Sequence, residues 1–408
     1  MKRRVVVTGM GLISSIGNSV EEVNQSLFEG KSGIGHCLEY EGMGLKSQVA
    51  GILPDPLKMI SKNKIKRFMS KGSAFAYLSM KQAIDSSGLI GGEISNPMTG
   101  LIIGTGGGSP ASSDAVAETV RNDGFNKLRS VNVPKCMASS PSANPVTLFG
   151  IKGISFSLGS ACATGAHCVG EAFDKIAYGK QDIIFAGGAD EQDWIIASAF
   201  DAARALSRRN DEPQKASRPY DKDRDGFVIS SGGGVLVLEE LEHAKAWGAK
   251  IYAEIIGYAA TSDGFSMVEP SGEGAARCME EAIRLARISR YDIDYINPHG
   301  TSTPKGDIKE LKAIKEIFGG NIPPISSTKS LTGHGLGATG VQELIYSIIM
   351  MENSFVSASA NIENLDPEAE GFPIVTKRLD KYSLNSVMSN SFGFGGTNAV
   401  IIMEKFEE

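Results

Sequence analysis

"GISFSLGSACATGAHCVGEAFDKIAYG", residues 153–179, changes character at its middle. The first part, "GISFSLGS", reads as a strand. From Ala166 onward, Ala166, Val169, Ala172, Phe173, Ile176 and Ala177 recur at helical spacing, and Gly179 ends the run. A strand feeding a helix through a Gly-rich turn is the building unit of an α/β protein, and here it sets Cys162 on the turn. Two readings of that thiol are open. It is a nucleophile whose pKa is lowered by the helix N-terminus, with unpaired amides ready to hold an oxyanion, or it is a packing cysteine at a tight turn. On the first reading, the small neighbours let an acyl carbonyl reach those amides.

Similar Val/Ile-rich runs ending in Gly recur along the chain: "RRVVVTGMG", "TGLIIGTGGG", "DIIFAGGAD", "GGGVLVLEE", "IDYINPHG" and "AVIIMEKF". They are expected to be buried strands separated by helices. At 408 residues the chain exceeds one ordinary core, so either two domains or one internally duplicated body is expected. The composition break at "EHAKAWGAK" (242–250) places the division there, giving halves 1–250 and 251–408. No fixed short repeat period is visible.

Composition removes several classes of function. Lys and Arg number 41 against 47 Asp and Glu, a net charge of -6, so the global basic field of a nucleic-acid binder is absent. The opening "MKRRVVVTGMGLISSIG" has the basic start of a signal peptide, but Thr8, Gly9 and Gly11 interrupt its apolar run; it reads instead as an edge-to-core strand and turn. "LIYSIIMM" from 344 is far too short to span a bilayer, so no membrane crossing is expected. Five scattered cysteines, with no CxxC pair, fit a reducing cytoplasm better than a disulfide frame and give no metal site. "GTGGGSP" lacks the third glycine of a dinucleotide fingerprint, and "GKS" at 30–32 lacks the earlier glycine of a P-loop because Gln25 stands there.

Of five histidines, two lie in glycine- and threonine-rich loops: His299 in "NPHGTSTPKGD" just after an expected strand, and His334 in "STKSLTGHGLGATG". Loops at strand ends are where α/β proteins place their chemistry. His167, five residues past Cys162 on a helix and so on another face, is read as structural. Cys37, Cys136, Cys168 and Cys278 are read as core or surface thiols.

"SACATGAH", "RPYDKDRDGFVIS", "HGTSTPKGD", "STKSLTGHGLGATG" and "MSNSFGFGGTNA", in that order over essentially the whole chain, resemble the signatures of the β-ketoacyl-acyl-carrier-protein synthases, the condensing enzymes of fatty-acid synthesis. The resemblance implies a thiolase-like fold of two duplicated mixed α/β halves stacked as α-β-α-β-α layers, a site between them, and a homodimer. A pair of histidines distinguishes the chain from initiating synthases and thiolases, so elongation is implied. "GLIIGTGGGSP", "SACATGAHC" and "FAGGADE" look closer to the type I synthases than to type II. Two alternatives stay open: a ketosynthase of polyketide or other specialised acyl synthesis, and a non-catalytic partner subunit that binds carrier protein.

The resemblance also implies the chemistry that these residues would carry. An acyl thioester passes to Cys162; its tetrahedral oxyanion is held by the Cys162 N–H and, by resemblance, the Phe394 N–H. Malonyl thioester then loses carbon dioxide, and His299 and His334 donate to the enolate oxygen. The resulting carbanion attacks the acyl group and adds two carbons, with no metal or organic cofactor. Lys329 is implied to orient the histidine loop, with Asp307 and Glu310 as pairing carboxylates and Glu343 bracing the loop from the following helix. Thr301 and Thr303 are implied partners of the carrier's pantetheine amides, and Phe394 a gate on the acyl channel. Pro298 stands where the family usually has a small residue, and it threatens to tilt the His299 loop.

Residues 58–71, "KMISKNKIKRFMSK", carry six cations and no acid. Acyl carrier proteins are acidic, so Lys64, Lys66 and Arg67, with Lys127 and Arg129 as neighbours, are candidates for docking one. An ordinary solvated helix face is the competing reading.

Overall fold

The computed structural model describes residues 2–407. Nine strands form one mixed sheet: β1 (Val5–Ile13), β2 (Thr99–Gly104), β3 (Ser155–Phe156), β4 (Ile183–Asp190), β5 (Gly232–Glu240), β6 (Ala253–Ser262), β7 (Tyr295–Asn297), β8 (Ser386–Gly393) and β9 (Thr397–Glu404). Their spatial order is β3-β2-β4-β5-β1-β6-β9-β8-β7. Counted within its own half, the first five strands run 3-2-4-5-1. The second half repeats this outward from β6, with the isolated parallel bridge Ile296–Ile325 in place of a third strand. Directions repeat as well. β4 is parallel to β2 and antiparallel to β5, as β8 is parallel to β7 and antiparallel to β9. The duplication is therefore in topology, which a search for short sequence periods does not detect.

β1 pairs with β5 on one side and β6 on the other, Val5 opposite both Glu240 and Ile255. The chain's opening is thus the seam between the halves, paired on both sides, where an edge-to-core strand was expected. All nine of its residues are buried.

Five helices complete the layers: α1 (Lys71–Ser87), α2 (Thr164–Ala177), α3 (Glu273–Ala286), α4 (Gly306–Phe318) and α5 (Thr339–Asn353). α1 covers the outer face of β1, β4 and β5; α3, backed by α4, covers β6 and β9. Between the two sheet halves lie α2 and α5, packed on each other. Every residue of α5 from Thr339 to Met351 is buried, including the "LIYSIIMM" run. Its apolar side chains fill the core, each Leu or Ile contributing about 1.5–3 kcal/mol relative to exposure, while the buried Gln342, Glu343 and Ser347 are hydrogen-bonded. Among the described residues, no helix is long and apolar enough to cross a membrane.

β8 was not among the expected strands, because Ser386, Ser389, Asn390 and Ser391 interrupt its apolar pattern. These polar residues are nonetheless buried, and the strand pairs with β7 and β9. β8 runs straight into the Gly393–Gly396 turn that reaches the site.

Candidate active site

Cys162 lies in a 3-10 turn, Ala161–Ala163, that opens into α2. The preceding Ala161 has φ 48°, a left-handed conformation costing a non-glycine residue about 1–2 kcal/mol. Thr164 holds the turn: its Oγ1 accepts the Ser160 N–H at 2.8 Å and donates to the Ala161 carbonyl at 2.8 Å. The expected strand before it shrinks to Ser155–Phe156. His167, read as structural, bonds Ser160 Oγ through Nδ1 at 2.8 Å and so props the same turn.

The glycines of this stretch serve distinct ends. A Cβ on Gly165 would meet the Gly337 carbonyl at 2.8 Å and the Val341 amide at 3.0 Å, so this glycine lets α2 seat against α5. The approach that concerns the thiol is made from outside the stretch. A Cβ on Gly393 would lie 2.9 Å from the Ser160 carbonyl and 3.2 Å from the Cys162 nitrogen. Gly393 therefore lets the end of β8 close on the cysteine turn, and both the Phe394 and Cys162 amides reach the sulfur.

The two histidine loops arrive from the second half. His299 follows β7; its N–H and that of Gly300 each donate to one Glu310 oxygen at 2.8 Å, and Asn390 adds a bond at 3.1 Å. Pro298 does not displace it, since the ring centroid lies 5.3 Å from that of His334 at an interplanar angle of 84°. His334 is bound through its backbone to Val228 and Ser230, and Nδ1 meets Thr339 Oγ1 at 3.0 Å. With Thr339 donating, the proton sits on Nε2, a buried atom with no other partner. The Cys162 sulfur and one nitrogen from each histidine lie within 4.8 Å of one another. They share a cavity of about 510 Å³ with Phe394, Thr301 and Thr303. Phe394 is 43% exposed, and its ring lies 5.8 Å from Phe200 at the cavity wall.

Lys329 is the cation behind all three groups. Its Nζ meets Glu343 Oε1 at 2.6 Å, both side chains being 1% exposed. Burial, aided by the Lys329 charge, drives both imidazoles well below their usual pKa, so they are neutral at pH 7. Burial pushes the Cys162 thiol up to about 12, against the pull of Lys329. This corrects the expectation of a thiol lowered by its helix: enclosure outweighs the amides and the cation together. Iodoacetamide labelling of Cys162, with Cys162→Ala as background, is therefore expected to quicken about tenfold per pH unit from pH 7 to 9. A plateau below pH 8 in the labelling rate restores the helix-lowered thiol.

The two carboxylates expected to pair with Lys329 face elsewhere, and Glu343 takes that place. Glu343 braces the histidine loop through Lys329 and, at 3.4 Å, through the Thr328 hydroxyl, and burial raises its pKa to about 7. Glu310 clamps the His299 and Gly300 amides instead of pairing with Lys329. Asp307 faces Arg224 at 3.3 Å and accepts the Ser302 N–H at 3.0 Å.

Asp190 was missed. Buried at the end of β4, it accepts Thr105 Oγ1 at 2.5 Å and the amides of Gly106, Gly107 and Gly337 at 2.8, 3.2 and 2.6 Å. It ties the His334 loop of one half to the turn after β2 in the other. An acid placed after two glycines at a strand end in "FAGGAD" was its only signal.

Of the basic candidates, Lys64, Arg67, Lys127 and Arg129 are exposed. Lys66 is half-buried and donates to the Leu57 carbonyl at 3.2 Å, so it points away from a partner. The segment is two short helices, Pro56–Met59 and Asn63–Lys66, and not a single helix face.

Residues 2–244 match the β-ketoacyl synthase N-terminal domain family and residues 252–363 its C-terminal domain family. The chain is 54% identical over 407 residues to the 3-oxoacyl-[acyl-carrier-protein] synthase 1 of Haemophilus influenzae, covering 99% of each. The crystal structure of a β-ketoacyl synthase from Burkholderia phymatum STM815 superposes with a TM-score of 0.94 at 35% identity over 100% of both chains. A ketosynthase solved in complex with its type II PKS acyl-carrier protein gives a TM-score of 0.90 at 30% identity, again over 100% of both chains.

Proposed function

We propose a division of labour for a chain that belongs to the β-ketoacyl synthase family: Cys162 carries the acyl group, His299 and His334 stabilise the enolate, and burial together with the Lys329 charge keeps both rings neutral. The chain is a condensing acyltransferase of fatty-acid elongation, most similar in kind to the type I synthases. The carrying observation is the meeting of one thiol and two neutral imidazoles within 4.8 Å at the base of one cavity.

Acyl transfer begins with the thiol giving its proton to a neutral histidine as sulfur attacks the thioester carbonyl. The Cys162 and Phe394 amides receive the oxyanion. Collapse expels the carrier thiolate, which takes up that proton. Malonyl thioester then occupies the cavity, its arm on Thr301 and Thr303. As carbon dioxide leaves, imidazole N–H groups donate to the enolate oxygen; neutral rings do this without a full charge that would have to be buried. The carbanion attacks the acyl-cysteine, and the Cys162 thiolate departs.

Incubation with acyl-carrier and then malonyl-carrier protein tests this reading. The protein mass should rise by the acyl group and return, leaving a carrier product two carbons longer. Acylation without elongation would point to a transferase or hydrolase.

The carrier approaches, on this reading, over Lys64 and Arg67, with Lys127 and Arg129 beside them. Reversing Lys64 and Arg67 to Glu is expected to raise the apparent KM for carrier-bound substrate about tenfold at low salt and to spare acyl-CoA. Equal loss on both substrates removes the docking surface.

We infer a homodimer joined at β3. This terminal strand pairs only with β2, and the helix Ser140–Phe149 packed on it exposes Leu148. A single-chain mass in solution overturns that inference. All five cysteines are free, which supports a cytoplasmic setting, to be checked by fractionation. The division at 250/251 is supported by the close of the helix Leu241–Trp247 and the start of β6 at Ala253; separate expression of the halves tests it.

A further inference from the structure

The segment "RPYDKDRDGFVIS" has no part in the steps above, yet it packs behind the loop that carries Thr301 and Thr303. Arg224 is its centre. The guanidinium is buried, and Arg224 itself does not line the cavity. Nε donates to the Thr303 carbonyl at 3.1 Å and Nη2 to the Pro304 carbonyl at 2.6 Å. Nη1 donates to the Asp221 carbonyl at 2.7 Å and to Asp366 Oδ2 at 2.6 Å. Asp307 Oδ2 lies 3.3 Å from Nε. One cation thus fastens two consecutive carbonyls of the 301–304 loop to two other segments of chain.

That loop needs fastening. Ser302, between the two threonines, has φ 71°, a left-handed conformation that a side chain disfavours and that persists only where the surroundings over-determine it. Its N–H is held by Asp307 at 3.0 Å, and its Oγ accepts the Arg218 N–H at 3.0 Å. With Ser302 so turned, the Thr301 and Thr303 hydroxyls lie 3.1 Å apart on the cavity wall.

We propose that Arg224 is a positioning residue for the pantetheine arm: its planar fork holds the Thr303 and Pro304 carbonyls and thereby sets the two threonine hydroxyls against the arm's amides. The proposal rests on the reading of Thr301 and Thr303 as the amide partners. A lysine cannot replace the fork, because its ammonium carries the charge but does not span adjacent carbonyls in one plane.

The test compares Arg224→Gln, Arg224→Lys and Thr303→Val on two malonyl donors, one carrier-bound and one a simple alkyl thioester without amides, and includes Cys162 alkylation as a control. Arg224→Gln should raise KM for the carrier-bound donor about tenfold, leave the amide-free donor and alkylation within about twofold, and leave Arg224→Lys between. Thr303→Val should show the same split, and the Arg224→Gln/Thr303→Val double variant should be no worse than the worse single, since both act through one contact. If Arg224→Gln folds poorly, Asp366→Asn, which loosens the clamp from its outer end, should show a smaller split of the same kind. Equal loss on both donors makes Arg224 merely structural and overturns the proposal. A split from Thr303→Val without one from the Arg224 variants overturns it while keeping the threonine reading; a split from Arg224→Gln without one from Thr303→Val removes the threonine reading and the proposal with it.

Discussion

Cys162→Ala is expected to lower carrier-dependent elongation by about 10⁴-fold or more and to leave no acyl adduct on the protein, while the chain folds as before. The size of the effect follows from the step it removes. Without the sulfur there is no covalent holder for the growing chain, so the two substrates would have to react as free thioesters in one cavity. The fold should be spared because the turn is held by other groups: Thr164, Ser160 with His167, and the Gly393 approach all remain. Alanine already occupies positions 161 and 163. Cys162→Ser should recover little, since an enclosed hydroxyl is a far weaker nucleophile than the thiol. The measurement is intact-protein mass beside chain elongation. Retention of either adduct or product by Cys162→Ala would falsify the nucleophile assignment outright.

What could be read in advance, and what could not, divides along a physical line. The cysteine turn and both histidine loops were legible because each is a local device: glycine and threonine at a strand end, with a reactive side chain among them. The partners of Lys329 were not. Glu343 lies 14 residues downstream on α5, and spacing along the chain does not say which carboxylate a buried ammonium will meet. Glu310 and Asp307 sit three residues apart on α4, close enough to look interchangeable. They diverge because one faces the His299 and Gly300 amides and the other faces Arg224. Asp190 was illegible for a different reason. Its four donors come from two loops more than two hundred residues apart in sequence, brought together only by the stacking of the halves. β8 was passed over because its serines and Asn390 look like loop residues, although Asn390 there serves Glu310. At Cys162 a helix terminus favours the thiolate, and burial, which the local sequence does not display, outweighs it.

The charge arrangement behind the histidines explains why so deep a cation belongs here. Lys329 and Glu343 form a pair with almost no exposure, an arrangement that seldom adds stability because desolvation offsets the attraction. Its consequence is electrostatic. Burial first, and then the Lys329 charge, keeps both imidazoles unprotonated, and that charge favours negative charge on sulfur and on an enolate in the same cavity. Protonated imidazoles would still donate, but each would add a buried charge and neither could take the thiol proton.

His334→Ala and His299→Ala follow as the second large expectation, and they separate the two half-reactions. Each should cut malonyl decarboxylation about 10²- to 10³-fold, the usual loss for one donor aimed at a developing oxyanion. The double variant should fall well short of the product of the singles, because both rings address one oxygen. Acyl loading should respond differently. His334→Ala leaves His299 to accept the thiol proton, so the mass adduct at Cys162 should form, more slowly, and then fail to turn over; in His299→Ala, His334 presents only its Nε2 proton to the cavity, so loading should fall as well. His334 should show the larger loss of decarboxylation, because the Thr339 contact at Nδ1 and backbone bonds on both sides of the residue fix the direction of its Nε2 proton, whereas no hydrogen bond fixes the His299 ring through Nδ1. Carbon dioxide release from labelled malonyl-carrier, read beside the intact mass, measures both steps in one sample. Normal decarboxylation with lost loading would reverse the roles assigned here, making the histidines servants of the thiol and leaving the enolate to the Phe394 and Cys162 amides.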